Sequence, residues 1–399
     1  MTASLFLTQR QVERRLSLIY GAVFLVFGVQ SPFIGVWLGE HGLNLSQIGL
    51  VLALPRVLQF IGVPILARAA DKRGAIAQMI AASAILMTAL FGLLIFVSGT
   101  APVILTVCLL FMAQAGAMPL CDVLTFSIFR PGEANASGEA FGENFDYGKV
   151  RKWGSAAFIA GNFGGGLFLY ATSIGAMTLA LTVTAALAVG AARFALPLDA
   201  LTHRAKAMAS TNLPRRASSL LIAAIAANVL IQSSHVFVQS FGAIHWTAVG
   251  RSNVAIGALW AIGVTGETLF FWLFGRWRIG VRHAPHLVIL GGATAVVRWI
   301  VMIFDPPIAI LGLAQFCHGI TYAATHVGTM MLLSELAPAK TRARVQGWNT
   351  AIVAGASAAL MPTYAPLYKL YGEYIYGPMA MIAGIGLVVA ISVALRRQT

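Results

Sequence analysis

The fold prediction starts from residues 102–128, which read PVILTVCLLFMAQAGAMPLCDVLTFSI. A helix of this length crosses the hydrocarbon core of a bilayer, which takes about 20 residues. The one charged residue in the stretch is Asp122. A charged side chain inside hydrocarbon is unfavourable unless it faces a partner or a water-filled cavity. Ionisable residues within membrane helices therefore generally have a functional role. The stretch therefore predicts a membrane span that carries a functional polar group.

Similar apolar stretches recur along the chain of 399 residues, of which 58% are hydrophobic and 10% are charged. This composition excludes an ordinary soluble domain. The runs are continuous rather than alternating, which favours helices over membrane strands. We predict an all-α membrane protein with twelve transmembrane helices, at about 16–38, 47–69, 75–98, 102–128, 150–172, 175–196, 217–240, 253–275, 284–303, 307–333, 344–370 and 374–395.

The net charge of +14 is explained by membrane topology rather than by nucleic-acid binding. Of the 27 Lys and Arg residues, Arg251 and Lys369 lie in loops of one side, and three arginines lie in the spans or at their edge. All the other cations flank the spans on the opposite side. Because cytoplasmic loops carry such an excess of cations, both termini are predicted to be cytoplasmic.

A polar connection with Pro197, Pro214 and several cations separates two sets of six spans. We predict an N-terminal six-helix bundle at 1–196, a cytoplasmic central loop at 197–216 and a C-terminal six-helix bundle at 217–399. This layout resembles the major facilitator superfamily, whose substrate site lies near the bilayer midplane between the halves. Residues 67–74, ARAADKRG, resemble a loop motif of that superfamily in which Asp71 and Arg73 clamp helix ends, although positive-inside charge alone also explains them.

The charges within the spans indicate the chemistry of the substrate. Three arginines, Arg56, Arg151 and Arg298, face two carboxylates, Asp122 and Glu267. Asp122 with Arg151, and Glu267 with Arg298, are two candidate ion pairs, either structural or functional. One cation is left over, and a carboxylate on the substrate would balance it, because a guanidinium binds a carboxylate through two parallel hydrogen bonds.

Helical spacing places further polar and aromatic side chains on shared faces of the spans. Each amide or histidine also has an ordinary interpretation, a hydrogen bond that joins two helices. A carboxylate or an imidazole can change its charge state as its surroundings change, which is what proton coupling needs. The candidate substrate-binding residues are Arg151, Asp122, Arg298, Trp260, Tyr322, Gln232 and His235, and the candidate proton-coupling residues are Glu267, Asp122 and His318.

Residues 146–155, DYGKVRKWGS, lead into the fifth span. They resemble the corresponding stretch of the bacterial 3-phenylpropionate permease family, a branch of the major facilitator superfamily related to lactose permease. The resemblance covers nearly the whole chain. It is supported by Pro119-Leu120-Cys121-Asp122, by Glu267, by Val297-Arg298-Trp299, and by His318 with His326.

The relation to lactose permease implies a role for each matching position. It implies that Asp122 and Arg151 grip the substrate and that Glu267 joins the substrate to the proton. It also implies that Arg298 and His318 belong to the coupling network. One position departs from the pattern, because lactose permease has a proton-carrying glutamate where this chain has Thr321. The proton carrier is then Glu267 or Asp122, or the coupling differs.

We therefore expect a secondary active transporter, a proton-coupled symporter of a small aromatic acid such as 3-phenylpropionate, in the bacterial inner membrane. The alternatives are a sugar or nucleoside proton symporter and a drug or metabolite exporter. An intramembrane enzyme or a substrate-sensing receptor is the competing class, but the sequence holds no metal-ligand spacing and no nucleotide-binding loop. We expect no catalytic residues, no metal, no cofactor other than the coupling proton, no nucleic-acid partner and a functional monomer.

Overall fold

The protein is described by a computed structural model over residues 7–58, 75–128, 147–201, 219–277, 280–337 and 342–397. These residues are almost entirely helical and contain no strand, so the predicted all-α class is confirmed. The helices of the first half are α1 (Gln9–Glu40), α2 (Leu45–Leu58), α3 (Ile76–Leu94), α4 (Thr100–Gln114), α5 (Ala117–Ile128), α6 (Tyr147–Ala171) and α7 (Met177–Ala195).

The second half is equally helical. Its helices are α8 (Ser219–Ser233), α9 (Val236–Ala248), α10 (Asn253–Trp277), α11 (Ala284–Met302), α12 (Ile308–Phe316), a π-helix (Gly319–Ala324), α13 (Thr325–Leu336), α14 (Arg342–Tyr371) and α15 (Tyr376–Arg396). Short 3₁₀ turns at Ile174–Ala176, Leu196–Leu201, Val281–His283 and Gly372–Ile375 connect or extend some of these helices.

The observed helices are consistent with the twelve predicted spans. Nine apolar helical segments in the described residues are long enough to cross a bilayer. One of them, Val345–Arg396, contains the two helices α14 and α15. Helix α6 has 25 residues, and the apolar helix α2 reaches the edge of a described range.

Three predicted spans are not continuous α-helices, which corrects the sequence prediction. The span at 102–128 breaks between α4 and α5, the span at 217–240 breaks between α8 and α9, and the span at 307–333 contains the π-helix. At the second break, the Ser234 hydroxyl donates to the Ile231 carbonyl at 2.7 Å, and His235 Nδ1 contacts the same oxygen at 3.0 Å. Side chains thus satisfy backbone groups that a broken helix would leave unpaired in the membrane.

The chain divides into two compact units. The first is Met1–Leu43 with Leu58–Ala209, and the second is Asn44–Val57 with Ser210–Thr399. Nearly all of α2 therefore belongs to the second unit, although its neighbours in sequence belong to the first. The predicted domain boundaries at 196 and 217 stay predictions, and most of the proposed central loop lies outside the described residues.

In the first unit, α1 packs along α6 at unusually close range. A Cβ added at Gly28 would lie 2.5 Å from the carbonyl oxygen of Phe158, and one at Gly161 would lie 2.9 Å from that of Leu25. Only glycine allows the two backbones to approach this closely, as is common where helices pack in membranes. This contact places the polar residues of α1 and α6 side by side.

In the second unit, α10 packs against the π-helix in the same way. A Cβ on Gly319 would lie 2.2 Å from the Gly266 carbonyl oxygen, and a Cβ on Gly266 would lie 2.2 Å from that of Phe316. Because Glu267 follows Gly266 directly, the close approach holds this carboxylate-bearing residue next to the π-helix.

Candidate functional site

The polar centre of the first unit is the carboxylate of Asp122 on α5. Its Oδ1 accepts hydrogen bonds from Tyr20 Oη at 2.5 Å and from Tyr147 Oη at 2.7 Å. Tyr20, on α1, is fully buried and also contacts Thr125 Oγ1 at 3.3 Å. Two phenols, from α1 and α6, thus hold the Asp122 carboxyl group in place.

Arg151 on α6 lies over aromatic rings of α1. Its guanidinium carbon is 4.2 Å from the centroid of Phe24 and 5.7 Å from that of Tyr20, within the range of cation–π attraction. A Cβ added at Gly154 would lie 3.0 Å from Arg151 Nη1, so the guanidinium is fitted against bare backbone. Tyr20 therefore contacts both residues that the sequence predicts to grip the substrate, Asp122 and Arg151.

A second polar pair in this unit joins α1 to α4. The amides of Gln30 and Gln114 donate to each other at 3.2 and 2.6 Å, and both residues are buried. The break between α4 and α5 separates Gln114 from Asp122. Both nevertheless meet α1, because their partners are Gln30 and Tyr20.

The polar centre of the second unit is the guanidinium of Arg298 on α11, a residue that is only 3% exposed. Its Nη2 donates to Gln315 Oε1 at 2.8 Å, and its Nη1 lies 3.3 Å from His318 Nδ1 and 3.5 Å from Thr321 Oγ1. Within the part of the chain that the structure describes, these partners are all uncharged. Since arginine can only donate, Nδ1 of His318 is the acceptor in this contact.

Thr321 links Arg298 to the break between α8 and α9. His235 Nδ1 faces the Ile231 carbonyl at 3.0 Å and must donate to it, so in the neutral ring Nε2 accepts from Thr321 Oγ1 at 2.9 Å. The resulting chain of hydrogen bonds runs from Arg298 through Thr321 to His235. It passes through a helix break and a π-helix, and π-helical turns are frequent at functional sites.

Aromatic rings surround this chain of hydrogen bonds. The His235 ring meets the edge of Trp299 at a centroid distance of 5.1 Å, and Trp299 Nε1 donates to Ser234 Oγ at 3.0 Å. Tyr322 lies 5.3 Å from His318 and is stacked on His326 at 6.4 Å. The rings of the π-helix and of α13 thus form a ladder that leads away from Arg298.

Two charged residues interact with Tyr322, the middle ring of this series. Arg56 on α2 donates from Nη2 to Gln239 Oε1 at 2.7 Å. Tyr322 lies within electrostatic range of both Arg56 and Glu267. Gln232 donates from Nε2 to the Tyr322 carbonyl oxygen at 3.2 Å. Tyr322 is therefore the residue around which this second group of polar side chains is arranged.

Several buried polar atoms of the second unit have no hydrogen-bond partner. Such atoms are uncommon in folded proteins and mark places that a ligand or a water can fill. Near Arg298 they are donors, Arg298 Nε and Gln315 Nε2, whereas near Tyr322 the unpartnered atom is an acceptor, Gln232 Oε1. On α10, Trp260 Nε1 is also unpartnered.

The structure therefore brings together five of the predicted site residues in one unit. Arg298, His318, His235, Tyr322 and Gln232 form a connected cluster, with Glu267 within electrostatic range of Tyr322. Trp260 lies on α10, the helix of Glu267. Asp122 and Arg151 form a separate polar group in the other unit, and Asp71 and Arg73 lie outside the described residues.

Four residues in these groups were not among the candidate site residues predicted from the sequence: Tyr20, Tyr147, Gln315 and Thr321. Helical spacing placed Gln315 on one stripe with His318 and Tyr322, and Thr321 was noted only where lactose permease has a glutamate. The two tyrosines are ordinary aromatic positions in an apolar sequence, so only their contacts reveal them. No group of three or more His, Cys, Asp or Glu side chains that could hold a metal ion occurs within the described residues.

The sequence profile of the MFS_1-like family matches residues 14–365. The chain belongs to this family. A probable 3-phenylpropionic acid transporter of Escherichia coli (strain K12) is 28% identical over 387 residues, which cover 94% of this chain and 96% of the relative. The resemblance to the 3-phenylpropionate permease family and to the major facilitator superfamily is thereby confirmed.

Solved structures of other transporters share the fold of this MFS_1-like protein. The nucleoside transporter NupG has a TM-score of 0.74 at 15% identity, covering 96% of this chain and 98% of NupG. The peptide transporter POT in complex with sulfate has a TM-score of 0.71 at 13% identity, with coverages of 96% and 93%. Together these findings show a multi-pass membrane transporter of the major facilitator type.

Proposed function

We propose that this protein is a secondary active transporter that imports a small aromatic acid together with a proton. The observation that carries the proposal is Arg298, a buried guanidinium whose partners within the described residues are uncharged. A buried cation without an anion is strongly unfavourable. The electrostatic attraction between Arg298 and a bound carboxylate is therefore stronger than the same attraction in water.

The unpartnered atoms near Arg298 specify the same ligand. Arg298 Nε and Gln315 Nε2 are both donors, and a carboxylate offers two oxygens that only accept. A guanidinium edge and a carboxylate match in geometry and form two parallel hydrogen bonds. A neutral sugar or nucleoside would leave the charge of Arg298 unbalanced.

The aromatic part of the proposal rests on the rings around the cluster. The rings of Trp299, His235, His318 and Tyr322 lie in successive contact beside the guanidinium, and flat side chains of this kind suit an aromatic ligand. The relative from Escherichia coli is named for 3-phenylpropionic acid, which combines a phenyl ring with a carboxylate. For the proton we propose Glu267 as the carrier, with Asp122 and His318 as further members of the coupling network.

The proposed transporter lies in the inner membrane of a bacterium with both termini in the cytoplasm. The support is the distribution of cations, which follows the positive-inside rule. Arg151 is proposed as a second substrate residue, oriented by its contacts with Tyr20 and Phe24. The loop residues Asp71 and Arg73 are proposed to act in the conformational change, and the monomer is proposed as the functional form.

The test compares 3-phenylpropionate with its neutral amide in binding to purified protein. The acid should bind at least about tenfold more tightly, which corresponds to about 1.4 kcal/mol. Arg298→Met and Arg298→Lys should remove most of this preference, the lysine because it lacks the planar pair of donors. Arg151→Lys should weaken binding of the acid for the same reason.

The matched control is Arg276→Met, which removes an exposed arginine that stacks on Trp272. This variant should keep the preference of the unchanged protein for the acid. If the amide or a neutral sugar binds the unchanged protein as well as the acid does, Arg298 serves the helices rather than the substrate. A sugar or nucleoside symporter, or an exporter, would then replace the organic-acid transporter.

A further inference from the structure

We infer that the second unit contains a second polar subsite, formed by Gln232 and Arg56 beside Tyr322, that takes a hydroxyl group at the end of the substrate away from its carboxylate. The inference rests on the proposed function, in which the carboxylate binds at Arg298. It assigns the substrate to a narrower class, aromatic acids whose ring carries a hydroxyl group.

The two ends of the cluster differ in what their unpartnered atoms can do. At the Arg298 end, the free atoms Arg298 Nε and Gln315 Nε2 are both donors. A ligand group there needs only to accept, as a carboxylate does.

At the Tyr322 end, an acceptor is left over. Gln232 is 7% exposed and spends its Nε2 on the Tyr322 carbonyl oxygen at 3.2 Å, while its Oε1 has no partner. A buried amide oxygen without a donor lowers the stability of the folded protein. A ligand group that fills this place must therefore bring a proton.

The same end also contains a donor. Arg56 is the one charged residue of α2, donates to Gln239 at 2.7 Å and is within electrostatic range of Tyr322. A guanidinium carries five N–H groups, so one bond to Gln239 leaves others available. A hydroxyl both donates and accepts, and it is the smallest group that can serve Gln232 Oε1 and Arg56 together.

The path between the two ends suits an aromatic ring. His318 contacts Arg298, and its ring lies 5.3 Å from that of Tyr322. Gln232 donates to the backbone carbonyl of Tyr322, and Arg56 is within electrostatic range of this tyrosine. The acid Glu267 is also within electrostatic range of Tyr322 and can accept from a ligand hydroxyl.

The experiment measures dissociation constants for three acids and for the amide of each one. The acids are 3-phenylpropionate and its meta- and para-hydroxylated forms. The proteins are the unchanged chain, Gln232→Met, Arg56→Met and Arg298→Met, with Arg276→Met as the surface control. Thermal unfolding of each variant shows whether it is folded. Two separate variants at the subsite keep the test decisive if one of them does not fold.

We expect the unchanged protein to bind at least one hydroxylated acid about tenfold more tightly than the unsubstituted acid. Gln232→Met and Arg56→Met should reduce this hydroxyl preference to about twofold or less and keep the preference for acid over amide. Arg298→Met should remove the preference for acid over amide and keep the preference for hydroxylated ligands. No hydroxyl preference in the unchanged protein, or loss of both preferences together in both subsite variants, would overturn the inference.

The two proposals can fail separately. If amides bind as well as acids but hydroxylated ligands still bind more tightly through Gln232 and Arg56, the carboxylate site is wrong and the hydroxyl subsite stands. If acids are preferred but the hydroxyl makes no difference, the transporter of organic acids stands and the subsite is wrong.

Discussion

The role of each buried charged residue in this protein depends on its hydrogen-bond partners and on whether those partners carry a charge. Arg298 is held in place by Gln315, His318 and Thr321, which fix its orientation but do not neutralise it. A guanidinium that is positioned in advance loses little freedom when a carboxylate arrives, and this favours tight binding. The other unit has the corresponding arrangement with a negative group, because two phenols hold the carboxylate of Asp122 in position.

At the same scale, Glu267→Gln tests the proton carrier. The amide has nearly the shape of the carboxyl group but cannot release a proton at physiological pH. We expect the variant to lose accumulation driven by a proton gradient and to keep exchange of external for internal substrate in reconstituted vesicles. Asp122→Asn provides the comparison in the first unit. Full gradient-driven accumulation by Glu267→Gln would transfer the proposed role to another group.

The chemistry of the charged residues could be predicted from the sequence, but their pairing could not. Asp122, Arg298 and Glu267 stand out because an ionisable group in an apolar run needs a reason. The tyrosine partners of Asp122 come from residues 102 positions before it and 25 after it, and sequence spacing does not relate such positions. Thr321 appeared only as a missing glutamate, whereas the structure gives it a place between Arg298 and His235.

Helices in this protein are positioned by glycines at close crossings and interrupted where polar groups meet. The length and number of the apolar runs predicted most of the helices, because crossing a bilayer sets a minimum length. The break at Ser234 and the π-helix at Gly319 were not predicted, since both depend on hydrogen bonds to side chains of the same or neighbouring helices. The pattern of apolar residues along the sequence does not predict such hydrogen bonds.

The crossing of α1 and α6 gives a prediction at this scale. Gly28→Ala would place a methyl group about 2.5 Å from the Phe158 carbonyl oxygen, so the helices must separate. Overpacking of this kind costs about 1–3 kcal/mol. We expect a lower midpoint of thermal unfolding in detergent for this variant.

The matched control for this crossing is Gly164→Ala on α6, where no atom lies within 4 Å of the added Cβ. Alanine is the better helix former by about 1 kcal/mol, so this variant should unfold at the same or a slightly higher temperature. Equal midpoints for the two variants would show that the close approach of α1 and α6 does not contribute to stability.

The whole molecule combines a cation-rich side with a polar centre in each of two units. Its topology prediction depends on the positions of 27 cations rather than on any one of them. Sequence order alone does not indicate the partners of α2. Nearly all of this helix belongs to the second compact unit, where Arg56 donates to Gln239.

The charge carried per transport cycle gives the last prediction. A carboxylate that moves with one proton carries no net charge, so a membrane potential alone should not drive accumulation. A pH gradient of one unit supplies about 1.4 kcal/mol and should support about tenfold accumulation. Uptake into proteoliposomes with each gradient imposed separately measures both effects. Vesicles without protein are needed as a control, because a protonated aromatic acid also crosses a bilayer slowly by itself, and Glu267→Gln vesicles provide a second control.

If a potential, negative inside, of 100 mV drives uptake without a pH gradient, at least two protons accompany each carboxylate, since each net charge gains about 2.3 kcal/mol from that potential. A second proton would then have to be carried by a group other than Glu267, and Asp122, held by its two tyrosines, would be the next residue to replace.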